Sequence, residues 1–263
     1  MADHQELLTL ARDVAREAAT LVAGRRRAGV EVADTKTSPT DVVTEADRAA
    51  EELIRTRLLE ARPDDGLVGE EGSNTSSTSG VTWVVDPIDG TVNFLYGIPQ
   101  YAISIAARVG DDVVAGVVLD VPKGECFTAT RGGGAHLDGR PVRVRDVVPL
   151  AQRLVITGFS YERDTRMAQA AAVHELLGRV RDVRRLGSAA LDLCYVACGR
   201  ADAYVEEGLH DWDLAAGALV VAESGGRVTE RLGAGGKRCV MASSVGGFDE
   251  FVTAVEDCGF LGA

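Results

Sequence analysis

Basic charge is what this sequence most lacks. Its 263 residues carry 28 Lys and Arg against 40 Asp and Glu, a formal net charge of −12. That balance argues against nucleic acid or an anionic membrane as a partner. It leaves room for a phosphate ester, because bound cations invert a local field. Cysteine is sparse as well. Cys126, Cys194, Cys198, Cys239 and Cys258 are scattered and odd in number, which fits reduced thiols in a cytoplasm and not a disulfide framework. Cys194 and Cys198 stand four apart, but the scattered histidines offer zinc no further ligands, so both read as small core residues. No apolar run is long enough to span a bilayer. The first residues, MADHQELLTLARDVAREAATLVAG, lack the layout of a signal peptide. The expectation is a soluble, cytoplasmic protein. There is no internal repeat, and the seam expected near 145–152 has no flexible linker. The chain reads as a single domain, with an N-terminal α+β half (about 1–147) and a C-terminal α/β half (about 148–263).

What is present is a globular composition, 46% hydrophobic and 26% charged, with enough length for a substantial core. Apolar residues at helical spacing predict a helix over 5–24, with Arg25, Arg26 and Arg27 at its C-terminal end. A second helix is expected over 45–60, capped by Thr44 with Asp47 three residues on, and ended by Pro63. The Gly, Ser, Thr and Asn run over 72–80 reads as a mobile loop. Strands are expected at 82–85, 102–109, 113–119, 126–130, 135–137 and 141–144. Asp111 and Asp112 would turn one hairpin, Asp138 and Gly139 another. The N-terminal part is then two helices on a largely antiparallel sheet. The C-terminal part alternates: strands at 153–157, 180–183 and 203–205, helices at 166–177, 188–197, 213–224 and 248–256. Such alternation implies α/β layering.

The stretch WVVDPIDGTVNF, residues 83–94, runs from an apolar strand into two carboxylates three residues apart. On its own it is readable as a strand entering an Asp-Gly turn. Glu70 and Glu71 before the glycine-rich loop are readable as solvated charges, and Asp213 as a helix cap. Each of these acids nevertheless falls at an element terminus, where a scaffold carries functional groups. Carboxylates without Cys or His companions suit hard cations such as Mg²⁺ or Mn²⁺. Gly90 and Thr91 would open the next segment with free backbone N–H groups, an anion site, and the Thr91 hydroxyl would position a water. Together these parts describe metal-assisted phosphate hydrolysis.

WVVDPIDGTVNF resembles the first signature of the inositol monophosphatase family, the Mg²⁺-dependent, lithium-sensitive sugar-phosphate phosphatases. WDLAAGALVVAESGG (212–226) resembles its second signature, and GEE (69–71) its metal-loop glutamates. KTSPTDVVTEAD (36–47), RRLGSAALDL (184–193) and YVEEGLHDWD (204–213) match further family segments, in the family's order along nearly the whole chain. The resemblance implies a layered αβαβα sandwich, usually dimeric. It implies two to three Mg²⁺ ions, with Mn²⁺ as a substitute, on Glu70, Asp86, the Ile88 carbonyl, Asp89 and Asp213. Thr91, hydrogen-bonded to Asp47, would orient and deprotonate the attacking water, with Glu70 helping to activate it. Gly90 and Thr91 would hold the phosphate. Gly187, Ser188, Ala189, Glu206 and Asp213 would line the substrate pocket, and Lys36 and Glu71 would support the metals. The implied reaction is direct in-line attack of a metal-activated water on myo-inositol 1-phosphate or a related polyol phosphate, without a phosphoenzyme and with lithium inhibition. Histidinol phosphate, fructose 1,6-bisphosphate and adenosine 3′,5′-bisphosphate are the alternative substrates. A non-catalytic binding or regulatory protein on the same fold, or a cation-binding structural module, is the alternative of another class.

Overall fold

The computed structural model describes residues 3–30, 32–35, 42–72 and 74–262. Lys36 lies outside the described residues. In chain order the elements are α1 (His4–Ala28), β1 (Val32–Thr35), β2 (Val42–Thr44), α2 (Glu45–Ala61), β3 (Gly66–Gly69), β4 (Val81–Asp89), α3 (Thr91–Tyr96), β5 (Ala102–Val109), β6 (Asp112–Asp120), β7 (Cys126–Thr130), β8 (Gly134–Leu137), β9 (Arg140–Pro141), β10 (Leu154–Thr157), α4 (Arg163–Leu177), β11 (Asp182–Arg184), α5 (Ala189–Ala197), β12 (Ala203–Glu207), α6 (Asp211–Glu223), β13 (Gly226–Leu232), β14 (Arg238–Ser244) and α7 (Phe248–Asp257).

One sheet has the order β3-β4-β5-β6-β7-β8-β9, and a second has β11-β10-β12-β14-β13. The first is antiparallel except for the β3–β4 pair. The side-chain alternation of β4 shows how the layers stack. Trp83 and Val85 join the apolar faces of α1 and α2, while Val84 faces the other way, into a core shared with α5 and α6. That same core takes Ile156, Tyr204, Val240 and Ala242 from the second sheet. The opposite face of the second sheet carries Val155, Val205 and Met241, which pack on Leu176 of α4 and Phe251 of α7. The result is the expected αβαβα sandwich, with α5 and α6 as its filling.

Several local expectations shift for physical reasons. α1 runs on to Ala28, so the three arginines lie inside its last turn, where they complement the helix dipole. β4 continues through Pro87 to Asp89. Asp86 pairs with Ser104 and Asp89 with Ala102, and the register breaks between them so that Pro87 needs no ladder bond. The loop expected to be mobile is tied down over 74–80: Thr75 exchanges backbone hydrogen bonds with Leu67, and the Ser79 hydroxyl donates to Asp65 at 2.6 Å. The turn expected at Asp111 and Asp112 sits one residue earlier, with Gly110 in the left-handed region and Asp112 already in β6. The strand expected over 141–144 leaves the ladder after Pro141, because Val144 donates its N–H to Ser224 at the end of α6. α6 begins at Asp211, not at 213. The β13–β14 hairpin was not anticipated. β13 is an edge strand with charged and polar residues on both faces, so it shows little alternation.

Candidate active site

Parallel pairing of β3 with β4 sets Gly69 beside Val85, and the Glu70 N–H donates to the Val85 carbonyl at 3.2 Å. Glu70 therefore emerges next to Asp86. Asp86, two residues beyond Val84, keeps to the face that looks toward α6. α6 supplies Asp213 from its first turn, where the carboxylate accepts the His210 N–H at 2.7 Å. The helix-cap reading of Asp213 thus holds alongside any other role. Carboxylate oxygens of Asp86, Asp89 and Asp213 come within 4.8 Å of one another.

The electrostatics of this cluster are adverse without a cation. Asp86 and Asp213 are pushed well above the usual carboxylate range, first by burial, then by the charge of Glu70 and of each other's neighbours; Asp86 also shares a hydrogen bond with Glu70. Burial likewise raises Asp89, to about 7. Asp89 is partly compensated by α5, whose N-terminus is built around it: the Ser188 hydroxyl donates at 2.6 Å, and the Ala189 and Ala190 N–H groups at 3.2 and 2.8 Å. The all-oxygen donor set, crowded and mutually repelling, fits a hard divalent cation.

Thr91 sits at the start of α3. Gly90, its N-cap, has φ +99°, a conformation that favours glycine, and a Cβ there would press on the Gln100 and Gly187 carbonyls. The Thr91 hydroxyl lies 3.1 Å from Asp47 Oδ1 and 3.1 Å from the Ile88 carbonyl. Asp47 is 1% exposed, and its other oxygen closes the capping box with the Thr44 N–H at 2.8 Å and the Thr44 hydroxyl at 2.5 Å. One carboxylate thus caps α2 and reaches Thr91. Burial raises it to about 6 against the lowering effect of those bonds.

A cleft of about 330 Å³ opens over these groups and takes in Glu70, Asp86, Ile88, Asp89, Gly90, Thr91, Gly187, Ala189, Glu206 and Asp213. Ser188 lies behind it, 1% exposed, with its hydroxyl spent on Asp89. Glu206 accepts the Tyr204 hydroxyl at 2.7 Å and is raised by burial. Glu71 stands aside from the cleft, its N–H donating to Glu51 at 2.8 Å. Sequence reasoning missed Glu51, a buried acid on the apolar face of α2 that anchors the 69–71 turn; an acid on a buried helix stripe was the available signal. It also missed the outer wall, made of residues 159–162 with Arg185, Glu207 and Lys237. A larger cavity of about 740 Å³ runs between α6 and β13 and holds none of the expected site residues.

Comparison with known proteins places this architecture. A family model described as the inositol monophosphatase family matches residues 3–251. An inositol-1-monophosphatase SuhB of Mycobacterium tuberculosis is 47% identical over 271 residues, covering 95% of this chain and 93% of that protein. A protein named Nus factor SuhB, from Xylella fastidiosa, is 46% identical over 199 residues, 75% of this chain and 72% of its own. The solved structure of Mycobacterium tuberculosis SuhB superposes with a TM-score of 0.84 at 44% identity, covering 99% of both chains.

Proposed function

This chain belongs to the inositol monophosphatase family, and we propose on that footing that it is a Mg²⁺-dependent phosphomonoesterase acting on myo-inositol 1-phosphate and related polyol phosphates. The observation that carries the reading is the convergence of Asp86, Asp89 and Asp213 beside the Thr91–Asp47 pair. Glu70, Asp86, the Ile88 carbonyl, Asp89 and Asp213 would hold two to three Mg²⁺ ions, or Mn²⁺ in their place. Bound there, the ions supply Lewis-acid polarisation of the phosphoryl group and a lowered pKa for the attacking water.

The chain's own residues do the rest. The Thr91 hydroxyl orients the water for in-line attack on phosphorus, and Asp47, ionised above about pH 6, draws the proton through Thr91. The N–H groups of Gly90 and Thr91 receive the phosphate oxygens. Gly187 and Ala189 shape the wall. Glu206, fixed by Tyr204, accepts hydrogen bonds from the polyol hydroxyls. Ser188 fixes Asp89, and Glu51 holds the Glu70–Glu71 turn; Glu71, and Lys36 outside the described residues, are supporting residues only by the family resemblance. Lithium sensitivity, a homodimer and a cytoplasmic location belong to the same reading, and among the described residues no helix is long and apolar enough to cross a membrane.

Substrate identity is tested by phosphate release across inositol 1-phosphate, histidinol phosphate, fructose 1,6-bisphosphate and adenosine 3′,5′-bisphosphate, with inositol 1-phosphate expected to be best. Glu206→Ala is expected to weaken the inositol 1-phosphate reaction by about tenfold through KM, with metal binding retained. Unchanged kinetics would remove Glu206 from the polyol subsite. A second, non-catalytic reading is favoured by the name Nus factor that some relatives carry; it predicts no release from any of the four esters.

The acid cluster also makes a stability prediction. Asp86, Asp89 and Asp213 have raised folded-state values, so between about pH 4 and 7 the folded chain binds more protons than the unfolded one. Raising pH through that window therefore costs the metal-free protein stability. Thermal melts in a chelator should fall from pH 5 to pH 8. Saturating Mg²⁺ should raise Tm by several degrees at pH 8 and by little at pH 5, where protons compete for the same oxygens. A Mg²⁺ increment independent of pH would contradict this assignment.

A further inference from the structure

Arg185 lines the cleft, and its guanidinium lies directly over Gly187, where a Cβ would collide with it. Gly187 in turn abuts Gly90 at the start of α3. The guanidinium thus lies beside the Gly187–Gly90 contact and within electrostatic reach of Glu206, whose acidity its field increases. Its neighbour Arg184 is paired with Asp182 at 2.5 Å, and Lys237, the other strong cation on the wall, is held by Glu162 at 2.7 Å. Arg185 itself makes neither an ion pair nor a hydrogen bond among the described residues. Its field reaches Glu206 and Asp192, but its planar array of donors carries no direct bond in a cleft rich in carboxylates.

We propose that Arg185 is a specificity-determining residue that admits esters more anionic than inositol 1-phosphate, by receiving their second anionic group, a carboxylate or a phosphate, beside the phosphate monoester that reacts. This deepens, and rests on, the phosphomonoesterase reading. Guanidinium matches the geometry of both anions and is always charged, whereas the surrounding acids would repel a more highly charged ester in its absence. A polyol phosphate whose remaining groups are all hydroxyls has no second anion for this fork.

The test compares matched esters. Glycerol 2-phosphate and 2-phosphoglycerate differ by a hydroxymethyl group replaced by a carboxylate; fructose 1-phosphate and fructose 1,6-bisphosphate differ by a second phosphate. With Mg²⁺ present, Arg185→Ala should lower kcat/KM on one or both of the more anionic esters at least about tenfold more than on its neutral counterpart, the difference lying in KM. Arg185→Lys should restore part of that difference, since it keeps the charge and loses the fork. Equal losses within both pairs would place Arg185 on the reacting phosphate or in the fold and overturn the proposal. So would no change in either ratio, or a wild-type protein that rejects both anionic esters while cleaving the neutral ones. Release from inositol 1-phosphate but from none of these four esters would overturn this inference alone; no wild-type release from inositol 1-phosphate or any of the four would sink the phosphomonoesterase reading, and this inference with it.

Discussion

Replacing Asp86 by Asn is expected to lower phosphate release by about a thousandfold or more while leaving the protein folded, and in metal-free buffer above pH 6 at least as stable as the original. The two halves of that expectation come from one fact. Asp86 is 1% exposed, and that burial first, then the charges of Glu70, Asp89 and Asp213, holds it well above the usual carboxylate range. A buried carboxylate so placed costs the empty protein stability, and the amide removes that cost without changing shape. The same carboxylate is the most central acid of the cluster, so the amide should also abolish most of the Mg²⁺-dependent rise in Tm. Assay and melt must be read together. Activity within tenfold of the original, or a variant that fails to fold without metal, would show that Asp86 serves the scaffold and not the reaction.

Asp47→Asn is expected to cost about a hundredfold to ten-thousandfold in kcat with little change in KM. The amide keeps the size of the side chain but cannot take up a proton from Thr91. The pH profile separates this role from a structural one. Burial holds Asp47 above the usual carboxylate range, at about 6 in the metal-free chain, so the original rate should show an acid limb as the carboxylate becomes protonated, displaced to lower pH by bound cations. The variant should lose that acid limb. Its stability should change by no more than about 1 kcal/mol, because the amide oxygen can still accept the Thr44 N–H and the charge that burial disfavours is gone. A variant with kcat and its pH dependence intact would reduce Asp47 to a helix cap.

The parts of the site that could be read in the sequence are those written locally. The strand 82–85, the acids three residues apart and the Gly-Thr that follows are contiguous, so their chemistry is legible before folding. Thr44 and Asp47 are legible as a cap for the same reason. Asp213 and Glu70 needed the family resemblance, since each alone reads as an ordinary surface or cap acid. The outer wall was not legible. Residues 159–162 follow β10, Arg185 follows β11, and Lys237 precedes β14, and only the strand order of the second sheet brings them over the first sheet's acids. Ser188 shows the converse limit. Its place beside pocket residues suggests a substrate contact, yet the chain direction at the start of α5 turns its hydroxyl onto Asp89. In the fold, the hydrophobic strands were recognisable from their apolar runs, whereas β13 was hidden because an edge strand needs no buried face.

The central claim is that these acids assemble a cation-dependent phosphate-hydrolysing centre. The measurement that tests it most directly is phosphate release from myo-inositol 1-phosphate by the purified protein, first stripped with a chelator and then titrated with Mg²⁺. Negligible release from the stripped protein and a saturable return of activity with added Mg²⁺ are expected. Release that persists undiminished in the chelator, or none at any Mg²⁺ concentration on this or the other phosphate esters, would contradict it.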